Sequence, residues 1–126
     1  MEPLRPTRWL RILCGIAAIA MIAQLLFLAE PPFAERLVEA TWDKGVHIAA
    51  FGALAFLMWV AGDGRWPMLV FALAVVVGAA DEAHQIYTPG RTADINDFLA
   101  DGFGAAAAMI LAQAISPAPV QSTQGA

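Results

Sequence analysis

Residues 12–29 read ILCGIAAIAMIAQLLFLA, eighteen consecutive positions without a charged side chain. A helix needs roughly 20 apolar residues to cross the hydrocarbon core of a bilayer, so this stretch predicts a transmembrane helix. A cleaved signal peptide is the alternative, because arginines precede the stretch and Ala18, Ile19 and Ala20 resemble a cleavage site. The apolar stretch continues well past that site, which favours a membrane span.

Three more apolar stretches follow, and the composition agrees with them: 60% of the residues are hydrophobic and 14% are charged, against about 25% charged in soluble domains. The sequence therefore predicts an all-α membrane protein, a four-transmembrane-helix bundle, with helices at about 10–29, 46–61, 66–87 and 95–115. We expect a single transmembrane domain over residues 1–115. Residues 116–126 contain two prolines and no charge, which predicts a disordered tail.

Charge, cysteine content and motif spacing exclude several classes of function. The net charge is −4 and no basic stripe is present, so nucleic acid is not an expected partner. The single Cys14 rules out an intrachain disulfide and a cysteine zinc cluster. His47 and His84 offer metal ligands, but no H-E-x-x-H spacing is present, so we predict neither a metal site nor a cofactor.

Basic residues beside the first span predict the orientation of the chain. Arg5, Arg8 and Arg11 precede this span, and the positive-inside rule then places both termini in the cytoplasm. With this orientation, the unexpected polar side chains of the later spans all lie at the outer end of the bundle. An ionisable group that faces lipid costs several kcal/mol, so we expect these side chains to face inward and form a polar pocket.

The fourth helix carries three acids on one face, because Asp94, Asp97 and Asp101 are separated by three and then four residues. Asp94 is the expected N-cap, and Asp97 has the position of a capping-box carboxylate. Asp101 lies two turns further on, where capping does not account for a charge. Small residues also recur every four positions on this helix, at Ala100, Gly104, Ala108 and Ala112, a pattern that predicts close helix packing.

The third helix ends in a second polar group. Its spacing places Asp81, His84 and Gln85 on one face, and Glu82 shares a face with Gln85. These residues are the expected partners of Lys44 and His47 at the start of the second helix.

Four short motifs follow one another between Asp43 and about Ala108: Asp43-Lys44-x-x-His47, Glu82-x-x-Gln85, Pro89-Gly90-Arg91 and Asp97-x-x-x-Asp101-x-x-Gly104. In this order the motifs resemble those of the VanZ-like membrane proteins, although that family usually has asparagine at the position of Asp101. The resemblance implies a small multi-pass protein of the bacterial cytoplasmic membrane. Because the founding member is associated with teicoplanin resistance, it also implies a link to antibiotic resistance at the cell envelope.

Two main functions are compatible with these residues. The chain modifies or binds a lipid-linked or anionic envelope component at the outer face, or it is a non-catalytic membrane protein held by Arg91–Asp97 and Lys44–Glu82 ion pairs. A proton-linked carrier is a weaker third alternative, because the charges cluster at one side. Membrane lipids are the expected partners in each case. The candidate catalytic residues are Glu82, Asp97 and His47, and the candidate binding residues are Lys44, Gln85, Arg91 and Asp101.

Overall fold

The computed structural model describes residues 5–28, 40–90 and 92–116, and all regular structure within these ranges is helical. Helix α1 covers Arg8–Ala23 and continues into a π-helical segment, Gln24–Leu28. Helices α2, α3 and α4 cover Ala40–Ala61, Pro67–Ile86 and Ile95–Ile115. Four helical segments are long and apolar enough to cross a membrane, which confirms the predicted fold class.

Local chemistry explains where several helices begin. The Thr7 side chain accepts a hydrogen bond from the Leu10 backbone N–H at 3.2 Å and caps α1. Pro67 occupies the first turn of α3, where its missing N–H costs no hydrogen bond. Asp94 caps α4 by accepting from the Asn96 backbone N–H at 2.9 Å, as the sequence predicts.

Helix α2 is longer than its apolar stretch suggests. The predicted start was residue 46, whereas the helix begins at Ala40 and its first turns include Asp43 and Lys44. Hydropathy locates only the apolar part of a helix. Here the helix continues into a charged segment, from which Lys44 donates a hydrogen bond to Asp94 at the start of α4.

The four helices alternate in direction. Arg11, near the start of α1, donates a side-chain hydrogen bond to the carbonyl of Ala61 at the end of α2, at 3.4 Å, so these two helices are antiparallel. The starts of α2 and α4 lie side by side, so these two helices are parallel. Helix α3 packs against both and runs in the opposite direction. The chain is thus arranged with its two described ends on the same side of the bundle, here called the terminal end. The opposite side, formed by the start of α2, the end of α3 and the start of α4, is called the acidic end.

Small residues allow α4 to pack closely against its neighbours. Ala100, Gly104 and Ala112 of the predicted stripe are buried, and Ala108 is half-buried. Gly104 lies directly on the backbone of Ile48, where a Cβ atom would approach the Ile48 Cα and carbonyl carbon to 2.9 Å. The stripe therefore fixes the depth at which α4 lies against α2.

The terminal end carries an apolar surface, whereas the opposite end is acidic. An apolar groove of about 440 Å³ lies there, and its walls include Leu10, Cys14, Trp59 and Ile115. Arg11 also lies 3.8 Å from Asp63 at this end. The groove is separated from the acidic end by the length of the bundle.

Candidate functional site

The acidic end brings together every predicted pocket residue that the structure describes. The start of α2 supplies Lys44 and His47, the end of α3 supplies Glu82 and Gln85, and the first turns of α4 supply Asp97 and Asp101. Arg91, the remaining predicted residue, lies outside the described residues.

Lys44 links α2 to the beginning of α4. Its ammonium donates to Asp94 Oδ2 at 2.9 Å and to Asp97 Oδ1, and it lies 3.8 Å from Asp43. The expected Lys44–Glu82 ion pair is therefore wrong, because the neighbouring helix offers Lys44 two closer carboxylates. The hydrogen bond from Lys44 also holds the pKa of the Asp94 carboxyl below its usual range.

Glu82 caps a helix to which it does not belong. Its Oε2 accepts a hydrogen bond from the Asp94 backbone N–H at 2.8 Å. A capping box would have used Asp97 for this purpose, and that expectation is wrong, because Asp97 faces Lys44. The other oxygen, Glu82 Oε1, is buried and has no hydrogen-bond partner within the part of the chain that the structure describes.

His47 lies between two acids of α4. Its Nδ1 and Asp101 Oδ1 are 2.7 Å apart, whereas Nε2 is 3.7 Å from Asp97 Oδ2 and 3.9 Å from Asp43 Oδ1. The Asp101 side chain is only 1% exposed, so this contact orients the imidazole from inside the bundle. An acid that orients a histidine through one ring nitrogen leaves the other nitrogen available for proton transfer, which is the arrangement of a general acid or base.

A second group of acids lies on the α3 side of Asp101. One carboxylate oxygen from each of Asp81, Glu82 and Asp101 lies within 4.8 Å of the others. Asp81 is buried and accepts a hydrogen bond from Gln85 Nε2 at 3.2 Å. Asp81 was not among the predicted site residues, although its spacing of four residues from Gln85 was the signal that places both on one face.

His84 does not belong to this face. Its side chain is exposed and lies near Thr88, one turn later on the same helix. The expectation that His84 shares the inward face of Asp81 and Gln85 is therefore wrong. Positions 81 and 85 point inward together, and position 84 is rotated from 85 by about 100°, far enough to face outward.

The acidic end has an excess of negative charge among its described residues. Two ionised carboxylates whose oxygens lie within 4.8 Å of each other repel by at least about 3 kcal/mol at an effective dielectric constant near 20. Lys44 is already engaged by two of the acids. Such a site retains protons or attracts cations. Its described acids and bases are six carboxylates, an ammonium and two imidazoles: Asp43, Asp81, Glu82, Asp94, Asp97 and Asp101, with Lys44, His47 and the outward-facing His84.

Two groups have the geometry to hold a metal ion. One is Asp81, Glu82 and Asp101, and the other is Asp43, His47 and Asp97. In the second group, Asp97 already contacts the Lys44 ammonium, which would compete with a metal for the same carboxylate.

Comparison with known proteins gives one match. A family model described as VanZ/LLP1 matches residues 4–116, a range that contains all four helices and the acidic end. No curated protein and no solved structure matches the chain.

Proposed function

The chain belongs to the VanZ-like family of membrane proteins, and we propose that it binds and modifies a lipid-linked, anionic component of the bacterial envelope at the outer face of the cytoplasmic membrane. The observation that carries this proposal is the contact of His47 with the buried Asp101 inside the end of a transmembrane bundle. Ionisable residues within membrane spans are costly, and they typically mark functional sites.

The contacts suggest a role for each residue. Asp101 orients His47, and His47 exchanges a proton with the headgroup of the bound lipid. Glu82 and Asp97 are the further acid–base candidates, because Glu82 lies at the contact of α3 with the start of α4 and Asp97 lies at the contact of α4 with α2. A phosphate-linked headgroup is the class that fits best, since its reactions depend on proton transfer and charge stabilisation.

Lys44 changes role in this proposal. The sequence suggested that it holds an anionic headgroup, but its ammonium is engaged by Asp94 and Asp97. We therefore assign Lys44 to positioning α4 against α2. In this proposal Arg91 binds the anion. In the sequence, this residue lies between the end of α3 and the start of α4. Gln85 donates a hydrogen bond to Asp81 and thereby positions the carboxylate of that acid.

A binding and turnover assay tests the proposal directly. The purified protein is incubated with vesicles that contain a polyprenyl-phosphate-linked saccharide, and lipids are analysed by mass spectrometry for retention and for a new product. We expect retention and product with the intact protein and loss of product with His47→Ala. His84→Ala is the matched control, because this exposed histidine lies on α3 at the same end. Equal product from both variants, or none from the intact protein, contradicts the assigned reaction.

The link to drug resistance is tested in cells. A sensitive Gram-positive host expresses the intact protein, Arg91→Ala or Asp97→Asn, and teicoplanin and vancomycin susceptibility is measured together with membrane abundance. We expect teicoplanin protection by the intact protein and its loss in equally abundant variants. If no version protects the host, the resistance role is rejected, and the lipid assay decides separately on the headgroup.

One observation favours a non-catalytic alternative. Lys44 bridges Asp94 and Asp97, which ties two helices together and resembles a purely structural ion pair. If this is the purpose of the polar end, replacing Lys44 and Asp97 together by apolar residues leaves lipid retention intact. The same double variant abolishes product formation if Asp97 takes part in chemistry.

A further inference from the structure

We propose that Asp81, Glu82 and Asp101 form a binding site for one hard divalent cation, of the class of Mg²⁺, Mn²⁺ and Ca²⁺. One oxygen from each carboxylate lies within 4.8 Å of the others, and the three side chains come from two helices that pack against each other. Carboxylate oxygens are the ligands that these cations prefer. The sequence motifs do not indicate this site, because the ligands are joined by helix packing and have no characteristic spacing.

Unpartnered oxygen atoms inside the cluster support a ligand. Asp101 Oδ2 and Glu82 Oε1 are both buried and have no hydrogen-bond partner among the described residues. Asp101 Oδ2 faces α3, where a Cβ built on Gly78 would lie 3.1 Å from it. Buried polar atoms in proteins nearly always have a hydrogen-bond or ion partner. Two unpartnered carboxylate oxygens in one cluster therefore indicate a ligand that both oxygens bind.

The dimensions of the cluster suit a cation. When no side of the triangle exceeds 4.8 Å, a cation can lie within about 2.8 Å of each corner, and Ca²⁺ binds oxygen at about 2.3–2.6 Å and Mg²⁺ at about 2.0–2.1 Å. Small side-chain movements therefore bring all three oxygens into contact. His47 complements the site, because ligating carboxylates are usually hydrogen-bonded in turn, and Nδ1 lies 2.7 Å from Asp101 Oδ1.

A bound cation also offsets the excess negative charge of the acidic end. Two positive charges among three carboxylates reduce the repulsion that the described bases leave uncompensated. The cation site is independent of the proposed function. A second role rests on that function: a bound cation presents positive charge to the phosphate of a lipid headgroup, a task for which Lys44 is not available.

Direct titration with Mn²⁺ tests the site. The purified full chain in detergent micelles is titrated without added lipid, and free Mn²⁺ is measured by electron paramagnetic resonance. We expect saturable binding of one Mn²⁺ per chain, displaced by Mg²⁺ or Ca²⁺. Asp101→Asn and Glu82→Gln each weaken this binding at least about tenfold. Asp63→Asn, an acid at the terminal end, is the matched control and leaves the affinity unchanged.

Thermal unfolding provides a second measurement that does not depend on the variants. Because a ligand of the folded state stabilises it, Mn²⁺ raises the melting temperature of the intact protein. The proposal is overturned if the intact protein shows no saturable Mn²⁺ binding, or if folded Asp101→Asn binds Mn²⁺ as tightly as the intact chain. Since lipid is absent, a protein that binds Mn²⁺ but fails the lipid assay refutes the proposed function alone.

Discussion

Gly104→Ala adds a single methyl group at the closest approach of α2 and α4. The new Cβ would lie 2.9 Å from both Cα and the carbonyl carbon of Ile48, and still closer to the Ile48 carbonyl oxygen. Carbon atoms in contact are normally about 3.5–4.0 Å apart. The obstacle is backbone and not a flexible side chain, so the helices themselves must separate by about 1 Å.

The energetic cost follows from this movement. Overpacking a tight contact typically destabilises a protein by about 1–3 kcal/mol. Alanine is intrinsically better than glycine inside a helix by up to about 1 kcal/mol, which offsets part of that cost. With the full propensity gain, we therefore expect Gly104→Ala to lower the free energy of unfolding by up to about 2 kcal/mol.

Gly102→Ala is a matched control on the same helix, because a Cβ at Gly102 would meet no atom within 4 Å. This variant has the same gain in helix propensity without the collision, so we expect it to be neutral or slightly stabilised. Unfolding of the purified proteins in mixed micelles is followed by far-ultraviolet circular dichroism as the fraction of denaturing detergent rises. Equal stability of the two variants refutes the close α2–α4 contact and with it the placement of His47 beside Asp101.

Two further predictions concern Asp94. In carboxyl NMR, Asp94 titrates below the usual aspartate midpoint of about 3.9, and Lys44→Met moves its pKa upward by removing both the hydrogen-bond donor and its positive charge. Because the folded pKa is the lower one, the stabilisation from this pair is complete above the unfolded value and is lost as pH falls through the folded value. Asp94→Ala destabilises α4 more than Asp94→Asn in thermal unfolding, since asparagine still caps the helix; equal melting temperatures would contradict the capping role.

The number of helices was predictable because each membrane span is a long apolar stretch, a signal contained in the chain itself. Helix ends were less predictable where polar residues continue a helix. The start of α2 shows why: Asp43 and Lys44 interrupt the sequence before the apolar stretch, yet the helix includes them, and Lys44 reaches Asp94 and Asp97 from there. The Asp94 cap, in contrast, depends on neighbouring residues and was correctly predicted.

The grouping of the site was also predictable, since alternating helices place the start of α2, the end of α3 and the start of α4 at one end. The individual partners were not. Pairing depends on how far each helix is rotated, and the sequence does not contain the rotation of one helix relative to another. The sequence therefore predicts a Lys44–Glu82 pair, whereas Glu82 accepts a hydrogen bond from the Asp94 backbone and Lys44 donates to the side chains of Asp94 and Asp97.

Gly78 illustrates how packing creates a site that no motif indicates. In the sequence it is one position of an apolar stretch. In the structure a Cβ at Gly78 would lie 3.1 Å from Asp101 Oδ2 and 3.3 Å from Asp101 Cβ, so a side chain here would press on Asp101 and require it to move. One turn later α3 presents Asp81 and Glu82. The missing side chain therefore lets α4 bring its deepest acid alongside two others. Three carboxylates that belong to two different helices thus become neighbours whose negative charges repel one another.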